Sequence, residues 1–151
     1  MDLNSILLNA KPQIIDEAYA ALSRSQVIHY EHAGEALNRQ RLTDLCGLVL
    51  TAIRDRELGP IGSYSEHVAV ERFNAGFDIS EVQTAYNSLE EALWRRVVSE
   101  VPHVDLAEAV GLLSTVLGFG KDALAREYVS LASHHHVGSL DLKALFRGTN
   151  S

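Results

Sequence analysis

PIGSYSEHVAVERFNAGFDISEVQTAYNSLEEALWRRVVSE, residues 60–100, decides the fold. Pro60 suits the first turn of a helix, where its missing N–H costs nothing. Ile61, Tyr64 and Val68 follow at helical steps, and the next steps fall on Glu71 and Arg72, so the apolar stripe fades toward the helix end. Gly76 stands where a left-handed C-terminal cap belongs. Asp78, with Glu81 three residues on, forms a capping-box pattern. A second helix then places Val82, Ala85, Tyr86, Leu89, Leu93 and Val97 on one side, with Glu91 and Arg95 spaced for an ion pair on the other, before Pro102 ends it. The stretch is a helix pair that carries its own stop and start signals.

The flanking sequence has the same 3.6-residue period. A helix is expected from about Asn4 to Ser23, carrying Leu7, Ile14, Ala18 and Leu22 and interrupted or kinked at Pro12. Ser25 to His32 is β-branched and aromatic and reads as a connection. Gly34 to Arg56 forms the next helix, with Leu37, Arg41, Leu45, Leu48, Ala52 and Ile53 as its stripe, one member an arginine. From about Asp105 to Ser133 a further helix carries Leu106, Val110, Leu113, Leu117, Leu124, Tyr128 and Leu131. No alternating strand pattern occurs. The expectation is an all-α, single-domain bundle of about five helices over residues 1–136, with residues 137–151 a flexible tail that keeps Leu140, Leu142, Leu145 and Phe146 for docking.

Length and composition suit one globular domain: 151 residues, 46% hydrophobic, 22% charged. The net charge of −7 opposes nonspecific binding to nucleic acid or anionic membranes. Cys46 is the only cysteine, so no internal disulfide can form, and its apolar neighbours mark it as an inert core residue. The N-terminal residues lack a basic region ahead of their short apolar run, which makes a poor signal peptide, and no apolar stretch is long enough to span a bilayer. A cytoplasmic protein is expected.

No catalytic, cofactor or metal centre is legible. His29, His32 and Glu35 share a helix face only in part, and Glu100 with His103 is split by Pro102. His134, His135 and His136 suit a helix C-terminus electrostatically. His67 reads as a surface histidine, and no histidine is placed as a proximal haem ligand. The residues suggestive of a pocket or an interface are Phe77, Tyr86 and Trp94, with Gly111, Gly118 and Gly120. A helical glycine costs about 1 kcal/mol relative to alanine, so three in one helix call for an offset. Close helix crossing at Gly111 and Gly118 is the preferred reading, and a pocket wall the other. No enzymatic activity is expected.

The segment SEHVAVERFNAGFDISEVQTAYNSLEEALW, residues 65–94, resembles the N-terminal sensory domain of RsbRD-type co-antagonists of bacterial stress signalling. Arg72, Gly76, Phe77, Glu81, Val82, Tyr86, Leu89 and Ala92 match the family's pattern. The resemblance implies a globin-related all-α bundle without haem that dimerises and passes a signal to a fused output domain. No output domain follows the last helix here, so the expected role is a sensory or regulatory domain, a homodimer acting through a separate signalling partner. The exposed side of the last two helices is the expected interface. The alternatives are a small-molecule binder with a pocket near Gly111, Gly118 and Gly120, or an adaptor docking through its tail.

Overall fold

The computed structural model describes residues 2–136, and the expected tail at 137–151 lies outside them. Among the described residues the chain is all helix: α1 (Leu3–Asn9), α2 (Lys11–Arg24), α3 (Ile28–Ala33), α4 (Glu35–Asp55), α5 (Gly59–Asn74), α6 (Ile79–Glu100) and α7 (His103–His136). The capped pair at residues 60–100 is present as α5 and α6.

Seven helices stand where about five were expected, and both additions have a local cause. Pro12 sits in the first turn of α2, so the expected first helix divides at Ala10 into α1 and α2. The expected connection at residues 25–32 contains α3, a helix of six residues. So short a helix is unstable alone; it packs on α4, and α6 supplies the acceptor for its N-terminus, as described below.

One apolar core joins all the longer helices. Leu7, Ile14, Ile61, Leu89, Leu93, Leu113, Leu117 and Leu124 are its largest fully buried members. Fully burying a leucine or isoleucine contributes roughly 2 kcal/mol, so this set holds the bundle without any crosslink. Cys46 belongs to the core too, and burial pushes its thiol up to about 11.

The most extensive packing is α5 on α7, followed by α2 on α6. Glycines make the first of these possible, but not the pair expected. A Cβ on Gly62 would lie 2.7 Å from the Phe119 ring, and one on Gly120 would lie 3.3 Å from Ile61 and from Ser65 Oγ. Gly111 and Gly118 have open space around them. The close crossing is therefore Gly62–Phe119 with Gly120, and Gly111 and Gly118 take no part in it. Charged pairs tie the outer edges: Lys121 reaches Glu90 at 2.6 Å between α7 and α6, and Arg96 reaches Glu17 at 3.3 Å between α6 and α2.

The α4 stripe also differs by one position. Leu37 is exposed, while the neighbouring Asn38 is buried and donates from Nδ2 to the Tyr30 carbonyl. No described helix is long and apolar enough to cross a membrane.

Candidate functional site

The α5–α6 turn is built from backbone rules and then used to hold side chains. Gly76, at φ +86°, is the left-handed residue after the α5 cap. Its N–H donates to the Phe73 carbonyl at 3.1 Å, and the Phe77 N–H donates to the Arg72 carbonyl at 2.9 Å. These are the two bonds of a Schellman motif. The motif normally joins two apolar side chains across its ends. Here it places the Phe77 ring against Arg72, whose guanidinium carbon lies 5.7 Å from the ring centre.

Asp78 then opens α6, its carboxylate accepting from the Ser80 N–H at 3.1 Å. Glu81 completes the capping box by accepting from the Asp78 N–H at 2.9 Å. The same carboxylate reaches across to α3. It accepts from the His29 backbone N–H at 3.1 Å, and from His29 Nδ1 at 2.7 Å. One side chain therefore satisfies orphan donors at the N-termini of two helices. Burial pushes the Glu81 carboxyl up, but the Asp78 and His29 N–H groups and the His29 ring outweigh it and hold the group below its ordinary value of 4.5. Glu81 is thus an anion, and His29 Nδ1 carries the proton in their bond.

With Arg72, four aromatic or cationic groups face the Phe77 ring. The His29 ring stacks obliquely at 4.9 Å, the Tyr30 ring meets it edge-on at 5.1 Å, and the Arg41 guanidinium lies 5.8 Å from its centre. Tyr128 of α7 donates its hydroxyl to the Phe77 carbonyl at 3.2 Å and packs on Phe73. Tyr86 of α6 exchanges a 2.9 Å hydrogen bond with Ser65 of α5.

Behind this ring lies a small recess, about 20 Å³, among α2, α3, α4, α5 and α6. Its polar wall is Tyr30, Asn38, Arg41, Tyr64, Arg72 and Tyr86, and its apolar wall includes Leu22, Leu42, Leu45 and Val68. Arg72 is 4% exposed, yet its Nε has no hydrogen-bond partner and its ion pair is to Glu71, an exposed side chain of its own helix. The Phe77 ring and the Tyr30 hydroxyl also face this guanidinium, but leaving its buried Nε–H unpaired costs stability. Burial, and then the Arg72 charge, pull Arg41 below the usual arginine range. Burial pushes the Tyr30, Tyr64 and Tyr86 hydroxyls up, so all three are neutral O–H groups near pH 7.

The structure thus gathers Arg72, Gly76, Phe77, Glu81 and Tyr86 at one junction. Trp94 lies two turns further along α6, partly buried against the core. Gly111 lines a separate surface groove of about 390 Å³ with Arg56, Leu58, Glu108 and Thr115. Gly118 faces open space, and Gly120 serves the α5–α7 crossing. His29 is turned to Glu81, and Glu35 to Arg39. Among the described residues no group of three or more His, Cys, Asp or Glu side chains could hold a metal ion. His134 Nδ1 bonds the Ser130 carbonyl, while the side chains of His135 and His136 lie outside the described part.

Sequence reasoning left Tyr30, Asn38 and Tyr64 unassigned to any site. The available signal was charge on a buried stripe. Arg41 and Arg72 both occupy apolar register positions of their helices, and Arg72 continues the Ile61–Tyr64–Val68 face where the stripe was expected to fade.

No curated protein and no solved structure matches the chain. A protein-family model does match, over residues 12–136, a span that contains the whole junction and every helix from α2 to α7. The chain belongs to the family of the RsbT co-antagonist protein rsbRD N-terminal domain.

Proposed function

We propose that this protein is a regulatory helical domain of bacterial stress signalling, acting by protein–protein contact as a homodimer and through a separate signalling partner, and not as an enzyme. The observation that carries the reading is the family membership over residues 12–136, together with the placement of the family pattern. Arg72, Gly76, Phe77, Glu81 and Tyr86 form one junction that connects α3, α4, α5, α6 and α7. A change at that junction would bear on most of the bundle at once. The negative overall charge and the absence of a membrane-spanning helix among the described residues agree with a cytoplasmic role.

Two measurements test it. Light scattering at micromolar concentration is expected to give twice the 16.6 kDa chain mass. Affinity recovery from an extract of the source bacterium is expected to return a distinct signalling protein. A monomer at every concentration, with no partner recovered, would overturn the reading. A second function, small-molecule binding, is favoured by the recess behind Phe77 rather than by the α7 glycines.

A further inference from the structure

We infer that the recess between Arg41 and Arg72 is a binding site for a short organic carboxylate. Four observations support this. The wall contains two guanidiniums and no Asp or Glu, in a chain whose net charge is −7. Of the nearby carboxylates, Glu71 is exposed and pairs with Arg72 Nη1 from outside the recess wall, and Glu81 is occupied by His29 and the Asp78 N–H. Arg72 is buried with its Nε unpartnered. Arg41 lies over the Tyr30 and Phe77 rings and donates one long hydrogen bond, 3.5 Å, to Asn38 Oδ1, so most of its N–H donors are uncommitted.

Two like charges held around one phenylalanine ring repel each other, and an anion between them would relieve both. The polar complement is right for a carboxylate. Guanidiniums bind carboxylates through paired N–H donors, and the neutral Tyr30, Tyr64 and Tyr86 hydroxyls add further donors. The recess is partly open and its space of about 20 Å³ takes one water-sized group, so only the carboxylate end of an anion can enter it. Leu22, Leu42, Leu45 and Val68 make the rest of the wall apolar, which disfavours a fully hydrated inorganic anion. Formate is nearest that size, while acetate and propionate are larger and would keep their carbon tails outside the recess. The site names a ligand class for the ligand-binding reading and rests on it.

The test is thermal denaturation and isothermal titration of the full chain with sodium formate, acetate and propionate, against chloride and inorganic phosphate at matched ionic strength. Saturable stabilisation by a carboxylate and not by chloride is expected, with Kd raised about tenfold or more by Arg41→Gln. Arg41→Lys keeps the charge but loses the fork and is expected to fall between. Arg95→Gln, on the outer face of α6, is expected to bind as the unchanged chain does. Equal responses to chloride and carboxylates, or affinity unmoved by Arg41→Gln, would overturn the site. A larger response to phosphate would assign the recess to inorganic oxyanions and overturn the carboxylate. Partner recovery is read separately, so carboxylate binding without a partner, or a partner without binding, tells the two proposals apart.

Discussion

The α5–α6 turn and the α2–α3–α4 stretch do the same job by opposite means. Residues 74–81 carry their own instructions: Gly76 for the left-handed stop, Asp78 and Glu81 for the start. In contrast, α3 has no side-chain cap of its own, with Val27 at its N-cap position, and it ends at Gly34, φ +90°. What the second region lacks, the first supplies, because the Glu81 carboxylate caps α6 and binds the second residue of α3. Local signals make a region legible in sequence. Borrowed ones make it dependent on its lender.

The largest effect that breaks this comparison is Glu81→Ala. It removes an acceptor from two helix starts and from the His29 ring, and a loss of about 3 kcal/mol is expected in urea or thermal unfolding. Hydrogen exchange should locate the damage in α3 as well as in the first turn of α6. Protection loss confined to α6 would show that α3 does not rely on Glu81.

Gly76→Val strikes the α5–α6 turn alone. A Cβ there has room, its nearest neighbour being His29 Nε2 at 3.8 Å, so the penalty is backbone strain. A β-branched residue at positive φ should cost about 2 kcal/mol. Gly76→Asn should cost clearly less, because asparagine tolerates that conformation. Equal losses for the two variants would show that space, not φ, is what Gly76 provides.

The smallest effect sharpens the comparison by pH. The Glu81 carboxyl titrates lower in the folded chain than its ordinary value of 4.5. Its contribution is therefore fully present above that value and is lost as pH falls through the folded value. Acid unfolding of Glu81→Gln should show a shallower pH dependence than the unchanged chain below about pH 5. Matching slopes would place the acid sensitivity on other carboxylates.

How far the fold could be read follows from the same distinction. The apolar positions on α6 from Val82 to Val97, the capping box and the Gly76 stop all lie within a few residues of what they control, and all are where the sequence puts them. The break near Pro12 was one of two readings the proline allowed. By contrast, α3 was read as a connection, since its stabilising acceptor lies 52 residues away. The α7 glycines were misassigned for a related reason. Periodicity shows that Gly111 and Gly118 share a face, but only the partner helix decides which glycine is crowded, and Gly62 and Phe119 select Gly120. At the site, the motif residues were visible, but the recess was not. Its wall takes Tyr30 from α3, Asn38 and Arg41 from α4, Tyr64 and Arg72 from α5, and Tyr86 from α6, and no single segment shows that they meet.

The shared carboxylate also orders events in time. As the chain leaves the ribosome, residues 28–33 emerge long before residue 81. Six residues cannot hold a helix unaided, so α3 is expected to gain its N-terminal acceptor only after the start of α6 has been synthesised. The stretch around Tyr30 is therefore expected to settle well after it is made.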